Sequence, residues 1–171
     1  VRKSAVNKLL PFVLTGLVIL VDQIVKEIVS RTLPFGRPVE ILGEFLRFTY
    51  VTNKAFAFGI GGGLGGTGRE VVAVVLPLVV MGVLLYYYLF AKEISQGQRW
   101  ILAAILGGGL GNTVDRIFRS GGVIDFIDVK FYGIFGWERW PVFNLADATV
   151  VVAGLALLIS YLIGGVEARH E

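Results

Sequence analysis

GGGLGNTVDRIF at 107–118, RSGGVIDFIDVKFYGIFGWERWP at 119–141 and VFNLAD at 142–147 form one continuous stretch, followed at once by a long apolar run. Asp115, Asp125, Asp128 and Asp147 fall within it, with the carboxamides of Asn112 and Asn144 and the guanidinium of Arg116. The segments on either side are hydrophobic enough to enter a bilayer. Ionisable groups at the edge of hydrocarbon are costly to hold there, so a cluster of them marks a functional site by default.

The rest of the chain fits that reading. Of 171 residues, 55% are hydrophobic and 17% charged, and the mean hydropathy is +0.74. A soluble domain carries nearer a quarter charged residues. The apolar residues gather into blocks of about 20, the length at which a helix crosses a bilayer. The sequence therefore predicts a single polytopic membrane domain over 1–171, with spans at about 9–29, 71–90, 100–118 and 144–164. There is no cysteine and the only histidine is His170. Disulfides, thiolate chemistry, histidine triads and zinc motifs are set aside, and no metal or cofactor is expected. A net charge of +3, spread over short loops, suits anionic headgroups better than nucleic acid. Membrane lipids are the expected surroundings, and no nucleic-acid partner is expected.

The first span, LLPFVLTGLVILVDQIVKEIV, lacks a small-x-small cleavage pattern and reads as a retained helix rather than a leader. Asp22 and Lys26 sit in its far half at i,i+4 and share a face. An ordinary ion pair near a helix end is the plain interpretation; a polar cavity lining is the one favoured by depth in the membrane. Residues at about 36–60 carry aromatic and β-branched side chains in partial alternation, which predicts a small extramembrane antiparallel sheet lying on the bilayer surface. Asn53 and Lys54 in it are either turn residues or substrate contacts. GIGGGLGGTG at 59–68 reads as a connector or lid. In the third span, Gly107, Gly108, Gly109 and Gly111 allow close backbone approach, and Asn112, Asp115 and Arg116 at i, i+3, i+4 share a face. Residues 119–142 read as a second extramembrane loop. Four spans put both termini on one side, but lysine and arginine counts orient them poorly. Only the basic start, Arg2, Lys3 and Lys8, argues for a cytoplasmic N-terminus.

The side-chain inventory confines catalysis to carboxylates, hydroxyls, lysine and arginine, and no serine has an evident lysine partner. Paired aspartates remain. Two carboxyls held close cannot both ionise cheaply, so one keeps a proton while the other accepts one from water. Asp147 is the first choice: Asn144 is a natural N-cap, which sets Asp147 at the third helical position near the helix's positive end. That position also favours its ionisation; a bare capping motif is the bland alternative. Asp125, between glycines and apolar neighbours, is its preferred partner. Asp115 competes but reads as an orienting or charge-tuning group, and Asp128 reads as solvent-facing.

DQIVK (22–26), NKAFAFG (53–59), GGGLGNTVDR (107–116), GGVIDF (121–126) and FNLAD (143–147), in this order, resemble the successive motif blocks of lipoprotein signal peptidase, or signal peptidase II. The resemblance implies an aspartyl endopeptidase of the bacterial inner membrane that removes signal peptides from prolipoproteins, cutting before a cysteine that bears diacylglycerol. It places the catalytic pair on Asp125 and Asp147 and further polar site residues on Asp22, Asn53, Asn112, Asp115, Arg116 and Asn144, with Lys26 in the first block as an orienting group. It also implies four helices, cytoplasmic termini, an extramembrane β-cradle, a periplasmic-side active site and a loop that covers substrate. A monomer is expected. The block at 53–57 reads NKAFA where the family has N-x-G-A-A, and the interval between the DR and VIDF blocks is one residue longer than common. Beside this stand two blander possibilities: an ion-coupled carrier lined by Asp22, Asp115 and Asp147, and a lipid-binding assembly subunit.

Overall fold

The computed structural model describes residues 7–54 and 66–167. Its elements in chain order are helix α1 (Phe12–Thr32), strands β1 (Pro38–Leu42) and β2 (Leu46–Asn53), helices α2 (Gly66–Phe90) and α3 (Gln96–Phe118), strand β3 (Val123–Val129), a 3-10 turn (Ile134–Gly136) and helix α4 (Leu145–Glu167). Among the described residues, four stretches are long and apolar enough to cross a membrane: Asn7–Thr32, Val71–Phe90, Gln96–Phe118 and Leu145–Ile163. On α1, α2 and α4 the large apolar side chains are turned outward, among them Leu20, Val83 and Leu162. Hydrocarbon is the solvent in which such a surface is stable, because a helix satisfies its own backbone polar groups there.

Helix α3 is the hub, and its glycines explain why. A Cβ on Gly107 would sit 2.8 Å from Val18 of α1, one on Gly108 would sit 2.6 Å from the Ala146 carbonyl of α4, and one on Gly109 would overlap Met81 of α2. Three consecutive glycines thus admit three different helices, and more than half of the α3 span is buried. Without hydrophobic driving force between helices in lipid, such close van der Waals approach holds the bundle together. Helix α3 starts in a capping box in which Ser95 and Gln98 exchange hydrogen bonds. Helix α1 stops at Leu33, which the following Pro34 forces into extended backbone.

The sheet is three-stranded and antiparallel in the order β1-β2-β3. Its first two strands lie within the region expected from alternation. The third does not: the loop expected at 119–142 opens with β3, whose Asp125 stands opposite Val51 and whose Val123 stands opposite Asn53. VIDFIDV does not alternate, because its aspartates stand three apart and fall on opposite faces of a strand that is buried on both. Here Val123, Ile124, Asp125 and Phe126 are all buried. Ile124 and Phe126 pack on Val25, Val29 and Leu33 of α1 and on Leu145 of α4, so the sheet lies across one end of the bundle. The expected connector at 59–68 and the NKAFA residues 55–57 lie outside the described residues, except that α2 already begins at Gly66, ahead of the expected span.

Candidate active site

At the sheet-covered end of the bundle, the ends of α1 and α3, the start of α4 and strand β3 bring their polar residues together. Asn144 caps α4. Its Oδ1 accepts from the Asp147 backbone N–H at 2.9 Å, and its own N–H donates to Asp147 Oδ2 at 3.3 Å. The expected cap is therefore formed, with Asp147 at the third helical position. It is also more than a cap. Asn144 Nδ2 donates to Asp125 Oδ1 at 2.7 Å, to Asn112 Oδ1 at 3.0 Å and to the Ile124 carbonyl at 3.2 Å. Asn144 is fully buried, and one carboxamide thereby ties Asp125 to Asp147 from opposite ends of its amide.

A second carboxamide fixes the other side of Asp147. Asn112 Nδ2 donates to Asp147 Oδ1 at 2.7 Å. Its Oδ1 accepts from both Asn144 and Lys26, the latter at 2.9 Å. With two donors aimed at its oxygen, the amide cannot flip, and its nitrogen must face the carboxylate.

Lys26 is the anchor of that arrangement. Its ammonium, without solvent exposure, lies 2.8 Å from Asp22 Oδ2 and 2.8 Å from Asp115 Oδ2. Together with Asn112, these groups satisfy all three of its N–H donors. Asp22 spends its other oxygen on the Ala146 N–H of α4, at 3.1 Å. A carboxylate is favoured beside a helix N-terminus, where the first N–H groups lack intrahelical partners. Asp115 also accepts from Gln23 at 3.0 Å, from Arg119 at 3.1 Å and from the Ile124 N–H at 3.3 Å. Desolvating these charges is costly, and removing one member of such a network costs about 3–5 kcal/mol because the others stay buried without a partner.

Strand β3 delivers Asp125 against this cluster. Gly122 has φ +88°, and a Cβ there would overlap the Asn53 carbonyl. A residue without a side chain lets the chain turn into β3 against the end of β2. Asn53 then donates to Asp125 Oδ2 at 3.4 Å. Burial first, and the neighbouring Asp147 charge second, push the Asp125 carboxyl up to about 7, against weaker lowering by Asn144 and Asn53. Arg116 faces the same acids, its charge acting on Asp147, then Asp125, then Asp115. It also lines a cleft of about 460 Å³ with Lys54, Ala73, Val74 and Gly122.

All nine residues singled out in the sequence therefore gather at one place, but in two layers. Asn53, Asn112, Asn144 and Arg116 face the two acids, Asp125 and Asp147. Asp22, Lys26 and Asp115 form a charged layer that the acids rest on. Two expectations change. Asp128 is buried rather than solvent-facing, bound by Arg139 and by Thr49. Gln23 and Arg119 belong to the network although they were not foreseen. For Arg119 the available signal was its i,i+4 spacing from Asp115, which it does reach, as it reaches Glu27; for Gln23 it was only the adjacency to Asp22.

Fold and site define a class: a four-span membrane protein that holds a buried aspartate, Asp125, beside a half-buried one, Asp147, where a small sheet meets one end of its bundle. A family model described as signal peptidase (SPase) II matches residues 14–163. The chain is 42% identical over 160 residues to a lipoprotein signal peptidase of Treponema denticola, covering 94% of this chain and 92% of that one. It is 43% identical over 157 residues to one of Treponema pallidum, covering 91% and 84%. A bacterial membrane enzyme solved by the in meso method at 1.9 Å superposes with TM-score 0.75 at 27% identity, covering 89% of this chain and 92% of that one. The chain belongs to the signal peptidase II family.

Proposed function

We propose that this protein is an intramembrane aspartyl endopeptidase that removes the signal peptide from prolipoproteins, cleaving just before a diacylglyceryl-modified cysteine. The observation that carries the mechanism is that Asn144 holds the Asp125 carboxylate with its side chain and the Asp147 carboxylate with its backbone N–H, while Asp125 is pushed up to about 7. Asp125 then holds a proton near neutral pH and Asp147 is free to accept one. A water between them loses its proton to Asp147 as its oxygen bonds to the scissile carbonyl carbon. Asp125 gives its proton to the carbonyl oxygen. As the tetrahedral intermediate collapses, the C–N bond breaks and the leaving amine takes a proton from Asp147, while the hydroxyl formed earlier returns its proton to Asp125. Both carboxyls end as they began, and no cofactor enters.

In this reading Asn112 and Asn144 aim the acids, Arg116 tempers their combined negative charge, and Lys26 with Asp22 and Asp115 holds the amides in place. The active site faces the periplasmic side, the termini face the cytoplasm, and the protein works as a monomer in the inner membrane. The test uses purified protein and a diacylglyceryl prolipoprotein in detergent. Asp125→Asn and Asp147→Asn are each expected to lower kcat by at least a hundred- to ten-thousand-fold, the range of acid–base assistance. Unchanged cleavage by either variant removes that residue from the mechanism.

A further inference from the structure

Beyond β3, the chain continues as a hairpin that the bundle does not need. Lys130 pairs with Arg139, the Phe131 N–H donates to the Glu138 carbonyl at 2.8 Å, and the Gly133 N–H donates to the Trp137 carbonyl at 3.0 Å. The turn carries Tyr132, Ile134, Phe135 and Trp137, exposed by 63%, 53%, 87% and 45%. Two of these are also held in left-handed backbone, Tyr132 at φ +52° and Phe135 at φ +55°. Glycine adopts that conformation freely; an aromatic residue pays for it and persists only where something outside the backbone favours the side chain. At 87% exposure, contacts within this protein do little to favour Phe135.

The hairpin's position identifies what does. Ile124 and Phe126 pack β3 against α1 and the start of α4, which supports a strand that runs along the end of the bundle rather than away from it. Its seven residues cover about 20 Å at 3.3 Å each, a reach long enough to carry the hairpin beyond the helices that β3 packs on. Both roots are tethered to spans: α3 ends at Phe118, and Trp140 stands five residues before α4 begins at Leu145. The turn is rich in tryptophan and tyrosine, the residues of interfacial belts. Leu42 and Phe45, 62% and 48% exposed, continue the apolar surface beside it, where the Lys130 N–H donates to the Phe45 carbonyl at 2.8 Å.

We infer that the 131–140 hairpin is a lipid anchor, whose Ile134 and Phe135 dip into the headgroup–acyl boundary of the leaflet at the sheet end, with Tyr132 and Trp137 at headgroup level. The anchor fixes how far the sheet, and with it Asp125, stands above the bilayer. A second protein chain is not required, since lipid is next to this hairpin in every state of a membrane protein.

The chain has no cysteine, so single cysteines carry a nitroxide label without further changes. Ile134→Cys and Phe135→Cys are each labelled and reconstituted in phosphatidylethanolamine–phosphatidylglycerol vesicles, with Glu93→Cys as the aqueous reference and Leu155→Cys as the lipid reference. Both hairpin labels are expected to collide with oxygen in preference to a water-soluble nickel chelate, at a ratio several-fold above that of position 93 and approaching that of position 155. A ratio equal to that of position 93 overturns the anchor. So does dipolar broadening that vanishes on dilution with unlabelled protein, which would mean that a second copy covers the hairpin. The readout needs no turnover, so it fails or succeeds independently of the peptidase reading.

Discussion

A carboxyl is tuned by what surrounds it, and at Asp125 the surroundings act in opposite directions. Burial and the Asp147 charge raise its affinity for a proton, while hydrogen bonds from Asn144 and Asn53 lower it. The balance at about 7 sets a pH dependence whose sign can be worked out. If Asp125 donates a proton in the reaction, raising pH through about 7 empties it, and kcat/KM falls on that alkaline limb with the slope of one proton. Asn53→Ala removes a bond that favours the ionised form, so the limb is expected to move to higher pH. The measurement is kcat/KM against pH for the two proteins in the same detergent. A limb that stays in place, or moves down, detaches Asn53 from Asp125. Asn112 and Asn144 are less replaceable, because each uses both ends of its amide, and an aspartate in either position offers no N–H.

At the scale of elements, α3 decides whether the site exists. Its glycines are not equivalent to glycines elsewhere in the bundle. A methyl on Gly108 would meet the Ala146 carbonyl, main chain that cannot swing aside, next to the first turn of α4 that holds Asp147. Gly154, on α4, has no atom within 4 Å of such a methyl. Gly108→Ala is thus expected to destabilise the protein by about 1–3 kcal/mol, the usual cost of overpacking, and to displace Asp147. Gly154→Ala is expected to be neutral or to stabilise by about 0.5–1 kcal/mol, the propensity difference in a helix. Thermal unfolding in detergent separates them; equal effects would show that α3 does not owe its place to close approach. The close approach of α1 to α3 at Gly107 likewise lets the charged layer form, since Lys26 on α1 reaches Asp115 on α3.

For the whole molecule, an even number of spans gathers the end of α1, the start of α2, the end of α3 and the start of α4 at one face, where the sheet covers them. Charge counts barely orient that face, because basic residues are spread over both sides. The proposed function puts the sheet end outside. We therefore expect a cysteine at exposed Glu40 to react from the outer side of intact cells with a membrane-impermeant maleimide, and one at Glu93 to react only after permeabilisation. The opposite pattern would invert the orientation and put the aspartates on the cytoplasmic side.

The linear sequence was sufficient for the four spans and for the helix cap at Asn144, because hydropathy and capping depend on neighbours a few residues apart; the set of polar residues that meet was implied by the resemblance of its motif blocks to a known family. It could not show that VIDFIDV is a strand, since its aspartates stand three apart and give no alternation. Nor could it find Gln23 and Arg119. Those outcomes rest on distances between residues up to 124 positions apart, such as Asp22 and Ala146, and only the glycine-mediated approach of three helices to α3 sets them. Tertiary packing gave Asp115 a lysine and Asp125 a second acid, and that difference in partners separates a structural carboxylate from one poised to exchange a proton.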